Sequence, residues 1–176
     1  MRKQYLTKKA VRELIASISS TELYDKEFIA ELRNSDTVYI VEQPRFRIYV
    51  FDSTPALFEH VKIPNHILPT LFAVNTFMNS KGRPPIPWIR VDEGAVNPIL
   101  RGADVMIPGV KEASDFPANA PLCVLEPNKR YAIGVGVALV PSTEISPGKR
   151  GKCMKVVSRL NDDIWNLCLE IARKSR

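Results

Sequence analysis

The residue types that most often carry out chemistry are sparse in this sequence of 176 residues. The three cysteines, Cys123, Cys153 and Cys168, lie far apart and form no Cys-x-x-Cys pair, and the only histidines are His60 and His66. Zinc sites and disulfide frameworks are typically marked by closely spaced cysteines and histidines. The sequence therefore predicts neither kind of site, and its few, scattered cysteines favour a reducing, intracellular location.

Phosphate-binding and nucleophile motifs are absent as well. There is no Walker pattern, no Gly-x-Gly-x-x-Gly after a strand and no Gly-x-Ser-x-Gly. Gly134 and Gly136 fall inside a predicted strand, which favours tight barrel packing over a phosphate cradle. Asp92 and Glu93 fall at the predicted start of a helix, where the helix dipole stabilises negative charge. We therefore expect no catalytic residue, no metal and no cofactor, and a binding protein rather than an enzyme.

Positive charge points to another class of function. The formal net charge is +6 and the pI about 9.3, and residues 1–84 and 85–176 each contribute +3. A basic pI is common among nucleic-acid-binding proteins, although many basic proteins bind no nucleic acid. The 45% of hydrophobic residues can form a core, and no window approaches the roughly 18 apolar residues of a membrane span. Residues 1–9 are basic without a following apolar core, so we expect no secretory signal, no membrane partner and a cytoplasmic protein.

Residues 1–84 mix helical and strand patterns. Val11, Leu14, Ile15 and Ile18 have the spacing of one apolar helix face. Further helices are predicted over residues 25–32 and 68–77, and strands over residues 37–41, 45–51 and 56–58. This pattern predicts an α+β domain over residues 1–84.

A polar segment with three prolines at residues 79–87 cannot continue a helix and predicts a linker or domain boundary. Beyond it we predict strands over residues 88–91, 103–107, 122–125, 131–140 and 154–160, and helices over residues 92–100 and 164–172. About six short strands in about 80 residues are typical of a small, partly closed barrel. Residues 85–176 are therefore predicted to form a mixed β pseudobarrel with a C-terminal helix.

Several segments of this second half, in the same order, resemble the PUA domain, a family named for pseudouridine synthases and archaeosine transglycosylases. They are the helix start at residues 91–96, the helix end, strand and Pro-Gly-Val at residues 100–110, the small-residue strand at residues 131–136, and the Lys-Gly turn and strand at residues 149–157. Residues 67–71 and 160–165 on either side resemble the malignant-T-cell-amplified-sequence family. Its members join a small α/β pre-PUA domain to a C-terminal PUA domain.

The resemblance implies a pseudobarrel that binds structured RNA in a groove formed by the first helix of the domain, the strand after it and a neighbouring strand and loop. Glycines there would let the RNA backbone approach closely. Val105 and Val110 would meet a base or ribose, and lysines and arginines would hold phosphates. The implied RNA-binding residues are Gly94, Arg101, Gly102, Ala103, Val105, Pro108, Gly109, Val110, Lys111, Lys129, Arg130, Lys149, Arg150 and Lys152.

The resemblance further implies a role in translation, with tRNA or the rRNA of the small ribosomal subunit as the bound RNA and room for a translation factor as a partner protein. Two alternatives stay open from the residues. The chain could be an accessory subunit in RNA modification, because PUA domains often occur in such enzymes. It could also be a protein-interaction adaptor whose basic surface is incidental. Salt-dependent RNA binding would separate the translation role from the adaptor.

Overall fold

The computed structural model of the protein describes residues 1–175. Its first sheet is antiparallel throughout, and its five strands lie side by side in chain order. They are β1 (Lys3–Tyr5), β2 (Val38–Glu42), β3 (Phe46–Phe51), β4 (Thr54–His60) and β5 (Leu68–Pro69). A tight turn at Asp52 joins β3 to β4, and this residue has a positive φ of 55°. Its carboxylate accepts hydrogen bonds from the amides of Asp36 and Thr37, which fixes the turn against the start of β2.

Three helices cover this sheet: α1 (Lys8–Ser19), α2 (Lys26–Arg33) and α3 (Leu71–Lys81). The apolar face predicted for α1 is confirmed, because Leu14, Ile15 and Ile18 are buried. The helix predicted over residues 68–77 begins later, at Leu71. The side chain of Thr70 explains the difference: its hydroxyl accepts from the amide of Ala73 and donates to the carbonyl of Pro55 in β4. The two residues before it are thereby held as a short strand against β4.

The second sheet has six strands in the order β7-β11-β10-β9-β6-β8, and only the β6–β9 pair is parallel. The strands are β6 (Trp88–Val91), β7 (Val105–Met106), β8 (Val110–Ala113), β9 (Pro121–Leu125), β10 (Ala132–Ala138) and β11 (Lys152–Arg159). Helix α4 (Glu93–Leu100) lies between β6 and β7. The two edge strands, β7 and β8, are joined directly by a 3-10 turn, Ile107–Gly109. The sheet therefore curls into a nearly closed mixed pseudobarrel, as the sequence predicts.

Strand β10 carries the two glycines of the Gly134-Val135-Gly136 segment, and both lie where the backbone is crowded. A Cβ atom on Gly136 would lie 1.8 Å from the carbonyl oxygen of Lys155 in β11, at the point where the β10–β11 register shifts. A Cβ atom on Gly134 would lie 3.0 Å from the Val124 side chain. These glycines therefore serve barrel packing.

The two sheets share one apolar cluster. Helix α5 (Asp163–Lys174) follows the pseudobarrel in sequence, and its buried residues Ile164, Cys168 and Ile171 belong to the same cluster as the core of the first sheet. Cys123 and Val135 of the second sheet also contribute to it. A domain boundary near residue 84 stays a prediction, and the protein holds the two sheets together through a continuous core.

The predicted linker at residues 79–87 is anchored to the rest of the protein. Its first part is the last turn of α3, which ends at Gly82 with a positive φ of 75°. The amide of Asp25, the N-cap of α2, donates to the carbonyl of Pro85, and Ile86 is buried. Arg83 binds the carboxylates of Asp25 and Glu27. Within residues 1–175, no helix combines the length and apolar composition that a bilayer span requires.

Candidate nucleic-acid interface

A groove of about 1090 Å³ opens where the barrel fails to close. One wall is the chain from β7 through the 3-10 turn to β8, and the other is the connection between β10 and β11 at residues 142–151. We call this space the seam groove. Two contacts fix its walls: the amide of Ile107 donates to the carbonyl of Gly151, and Ser142 exchanges hydrogen bonds with the backbone of Phe116.

The surface of the seam groove is largely apolar. Met106 is 47% exposed although it is a large hydrophobic residue. Pro108, Val110, Ile145 and Pro147 line the same space and are exposed or half-buried. An open groove with an apolar lining suits partly apolar groups such as the faces of bases and riboses.

Three exposed cations lie along this apolar lining. Lys149 and Arg150 come from the 142–151 connection, and among residues 1–175 neither has a carboxylate within ion-pair distance. Lys111 from β8 has only a long contact of 3.9 Å with Asp92. Unpaired or weakly paired cations on both walls of a groove attract a polyanion such as a nucleic-acid backbone.

Two acids line the groove, and they differ: Glu112 is largely neutralised, whereas Asp115 is exposed and has no ion pair among residues 1–175. Glu112 lies 3.1 Å from Lys129 and 3.2 Å from Arg90. Hydrogen bonds from Lys129 and Arg90 lower the pKa of its carboxyl group. The ammonium group of Lys129 also lies 4.8 Å from the centre of the Trp88 ring. These contacts give Lys129 a structural role on the β6–β8 face.

The structure brings five of the predicted site residues together in the seam groove: Pro108, Val110, Lys111, Lys149 and Arg150. Lys152 lies beside it, opposite Met106 in the β7–β11 pair, and its ammonium group is 3.1 Å from Asp104. Arg130 is exposed at the β9–β10 turn, away from the groove-lining residues.

A second group of predicted residues surrounds α4. Gly94 is in its first turn, and Arg101, Gly102 and Ala103 are exposed at its end. Gly102 has a positive φ of 99°, and a Cβ atom there would lie 3.4 Å from the guanidinium of Arg159. That guanidinium donates to the carbonyl of Leu100 and so caps the helix. Gly102 therefore terminates α4, whatever else it contacts.

One expectation about an individual side chain needs correction. Val105 is only 1% exposed and lies in the barrel core, so the expectation that its side chain meets a base or ribose is wrong. Gly109 is the last residue of the 3-10 turn, and a Cβ atom there would lie 3.3 Å from that of Ala95 in α4. Its lack of a side chain permits the turn to pack on α4. The short β7 thus places the Val105 side chain inside the barrel.

Sequence reasoning did not identify Met106, Ile145 and Pro147 as groove residues. The available signal was the turn-forming series Ser146-Pro147-Gly148 with Gly151 shortly after it, because Gly148 and Gly151 both have positive φ angles, 84° and 107°. Glycines that adopt such angles mark tight loop geometry. The signal that Met106 is exposed is tertiary, since alternation along a two-residue strand cannot reveal it.

The groups that could support other chemistry are buried or scattered. The thiols of Cys123, Cys153 and Cys168 are buried, and burial raises the pKa of Cys153 to about 11 and that of Cys168 to about 12. Burial lowers the pKa of His60, and the nearby charges of Lys62 and Arg45 lower it further. No group of three or more His, Cys, Asp or Glu side chains suited to a metal ion occurs within the described part of the chain.

Comparison with known protein families finds a similarity in the second half of the chain. The family model for the PUA domain matches residues 87–160. Translation machinery-associated protein 20 of Saccharomyces cerevisiae is 26% identical over 135 residues, which cover 73% of this chain and 70% of the yeast protein. Malignant T-cell-amplified sequence 1-B of Xenopus laevis is 30% identical over 86 residues, which cover 47% of this chain and 48% of the Xenopus protein.

Relatives that match nearly the whole chain have names that state no function. An uncharacterised protein of Methanocaldococcus jannaschii is 29% identical over 168 residues, 94% of this chain and 97% of its own length. The crystal structure of a hypothetical protein from Pyrococcus horikoshii superposes with a TM-score of 0.82 at 28% identity, covering 95% of this chain and 99% of that one. A PUA domain from Aeropyrum pernix, crystallised with tartrate, gives a TM-score of 0.78 at 26% identity, covering 97% of this chain and 92% of that chain.

Proposed function

Because the chain is a PUA-domain protein similar to translation machinery-associated protein 20 and to the malignant T-cell-amplified sequence proteins, we propose that it binds structured RNA during translation. The observation that carries the proposal is the seam groove. It combines an apolar lining with cations on both walls, which is the combination that RNA recognition needs.

The physical roles within the groove follow from the side-chain types. Lys111, Lys149 and Arg150 hold phosphates, and these contacts supply most of the affinity and its salt dependence. Met106 and Val110 contact a base or ribose of an unpaired nucleotide, because only an unstacked nucleotide can place its faces in a groove. Arg101, Gly102 and Ala103 at the end of α4, together with Gly94, Arg130 and Lys152, extend the contact beyond the groove.

The names of the relatives support translation as the setting. We propose tRNA or the rRNA of the small ribosomal subunit as the bound RNA, a translation factor as a partner protein and the cytoplasm as the location. In this role the protein acts by binding and performs no reaction. The competing functions are an accessory subunit in RNA modification and a protein-interaction adaptor. A measurement of RNA binding tests these functions directly.

The double variant Lys149→Gln with Arg150→Gln tests the groove. Both residues are exposed and outside the core, so thermal stability should stay within roughly 0.5 kcal/mol of the unmodified protein. Affinity for bulk tRNA and for isolated small ribosomal subunits should fall. The slope of log affinity against log salt should shrink by about 1.4–1.8, since each lost phosphate contact contributes about 0.7–0.9.

A charge-matched control is Lys26→Gln with Arg33→Gln on α2, which removes the same net charge from exposed positions that do not line the groove. Its affinity and salt slope should remain close to those of the unmodified protein. An equal loss in both double variants would show that only overall charge matters and would overturn the groove assignment. RNA binding that is absent or independent of salt would favour the adaptor.

A further inference from the structure

The net positive charge of the protein is concentrated at its beginning. Residues 1–12 contain five basic residues, Arg2, Lys3, Lys8, Lys9 and Arg12, and no Asp or Glu. The other 164 residues carry 20 Lys and Arg against 19 Asp and Glu. These five side chains, which we call the N-terminal basic patch, contribute +5, while residues 13–84 contribute −2 and residues 85–176 contribute +3.

The fold exposes the whole N-terminal basic patch. Arg2 and Lys3 lie at β1, the outer edge of the first sheet, and Lys8, Lys9 and Arg12 lie on the first turns of α1. All five residues are exposed. The apolar face of α1 packs against the core, so its cations face solvent.

Few acids compensate this charge. The one ion pair of the patch within the described chain joins Lys9 to Glu13 at 4.0 Å, with side chains 78% and 68% exposed. Such an exposed, long contact contributes little. Glu42, at the end of the neighbouring strand β2, is already paired with Arg47. The charge of the patch is therefore available to an outside partner.

The position of the cations in α1 works against the stability of the helix. The first turn of α1 contains no acid, and its N-terminus carries the positive end of the helix dipole. Lys8 and Lys9 are placed where a positive charge is unfavourable. A sequence optimised only for folding would place acids there, so this arrangement points to a ligand that supplies the negative charge.

An exposed aromatic residue completes the surface. Tyr5 in β1 is 62% exposed, and its ring centre lies 5.5 Å from that of the buried Tyr39 in β2. The ammonium group of Lys3 lies 4.9 Å from the same Tyr39 ring. Exposed aromatic rings bordered by cations are typical of surfaces on which nucleic-acid bases stack.

We propose that the N-terminal basic patch is a second RNA-binding surface, which holds the phosphate backbone while Tyr5 stacks on an unpaired base. The inference rests on the proposed RNA-binding function and extends it to the first sheet. RNA is favoured over a lipid surface because α1 has no exposed apolar face to insert into a bilayer.

The patch and the seam groove are far apart in the fold. Strands β2, β3 and β4 separate β1 from β5, the strand beside the second sheet. At about 4.8 Å per strand, the first sheet alone spans about 19 Å. This exceeds the length of a four-base-pair RNA stem, because even the roughly 3.4 Å per base pair of B-form DNA gives only about 14 Å and A-form RNA rises less. An RNA that touches both surfaces must be longer, and it would gain affinity from binding at two places.

The test uses the full-length protein with two RNA hairpins, whose stems have about four and about 20 base pairs. The triple variant Lys8→Gln, Lys9→Gln and Arg12→Gln should bind the long hairpin more weakly and change binding of the short one much less. Its salt slope for the long hairpin should be lower by about 2.1–2.7, since each of the three lost phosphate contacts contributes about 0.7–0.9. Between about 50 and 200 mM salt, the unmodified protein should therefore lose about 20–40-fold more affinity than the variant.

The matched control is Lys26→Gln, Arg33→Gln and Lys62→Gln, three exposed cations outside the patch. A second pair of variants separates stacking from charge: Tyr5→Leu should weaken binding to the long hairpin, whereas Tyr5→Phe, which keeps the ring, should retain it. The triple patch variant should also melt at a higher temperature, because it removes cations from the positive end of α1.

Each result has one meaning. If the patch triple and the control triple have equal salt slopes while the groove variant loses affinity, the second surface is refuted and the groove stands. If the patch triple loses affinity and the groove variant does not, the second surface stands and the groove proposal fails. If the unmodified protein binds neither hairpin, or binds anionic vesicles in preference to both, the patch proposal is overturned.

Discussion

Asn75 on α3 links the two sheets through both atoms of its amide group. Its oxygen accepts from the backbone amide of Ala132 in β10 at 2.7 Å, and its nitrogen donates to the carbonyl of the same residue at 3.1 Å. Ala132 is fully buried and lies where the β9–β10 register shifts, so strand pairing is irregular at this point. One side chain therefore satisfies backbone groups that the sheet leaves open.

Replacing Asn75 with Ala removes both hydrogen bonds and leaves a buried amide and carbonyl without partners. A lost hydrogen bond costs about 1 kcal/mol, and an unsatisfied buried group about 1–3 kcal/mol. Because Asn75 is only half-buried, water can partly replace it. We expect a loss of about 2–4 kcal/mol in the free energy of unfolding, which for a domain of this size lowers Tm by roughly 4–16 °C.

Asn75→Asp makes the same contact dependent on pH. An ionised carboxylate can accept from the amide of Ala132 but cannot donate to its carbonyl, whereas a protonated carboxyl group can do both. The folded protein should therefore bind the proton more tightly than the unfolded chain, which raises the pKa of the introduced Asp above its usual value of about 3.9. The stability deficit should be full above the raised pKa and smallest below about pH 4.

Urea unfolding of Asn75→Ala, Asn75→Asp and the unmodified protein between about pH 3.5 and pH 8 measures these differences. The control is Thr76→Ala, the next residue on α3, whose exposed side chain should contribute less than about 0.5 kcal/mol. The reasoning would be refuted if Asn75→Ala cost no more than Thr76→Ala, or if the deficit of Asn75→Asp were the same at all pH values.

Two further predictions concern packing and charge. Gly136→Ala should lower the free energy of unfolding by more than about 3 kcal/mol or prevent folding, because the backbone carbonyl of Lys155 would have to move. Gly134→Ala should cost clearly less, because its new methyl group would meet the Val124 side chain. Equal urea midpoints for the two variants would contradict this prediction. Arg83 lowers the pKa of Asp25 through a hydrogen bond, so Arg83→Ala should reduce Tm at neutral pH. Arg83 also binds Glu27, so that difference should be full above the ordinary pKa values of Glu27 and Asp25, 4.5 and 3.8, and disappear as the pH falls through the two lowered values. A constant difference down to pH 2 would exclude these ion pairs as its source.

Local sequence patterns predicted most elements of the fold but missed those that exist only through their neighbours. The spacing in α1 is confirmed because the helix buries one regular face. The strand predicted over residues 45–51 is present as β3, but the alternation of a half-buried strand is wrong, because Ile48 to Phe51 are all buried. Strand β1 is exposed along its whole length, and β8 alternates little, so neither carries a hydrophobic signal. Their strand conformation comes from pairing with β2 and β6.

The candidate site was predictable in its residue types and less so in its geometry. The resemblance to the PUA domain indicated Lys111, Lys149 and Arg150, which the structure places around one groove. It could not show that Val105 points into the core, because the direction of a side chain in a two-residue strand depends on the turn that follows. The concentration of charge in residues 1–12 is visible in the sequence. The proposal that these residues bind RNA also required the structure, because only the structure shows that β1 is an exposed edge strand.

The seam groove itself follows from three residues of the chain. Ile107, Pro108 and Gly109 carry the backbone from β7 at one edge of the sheet to β8 at the other, within a single 3-10 turn. Pro108 has no amide hydrogen, so it cannot donate to a sheet ladder across this gap. The carbonyl of Gly109 is already bonded to the amide of Asp92 at the start of α4. The turn is thus held to α4 and to Gly151, and the edge strands diverge instead of pairing. Because the two edge strands do not pair with each other, residues of both remain available to line the seam groove.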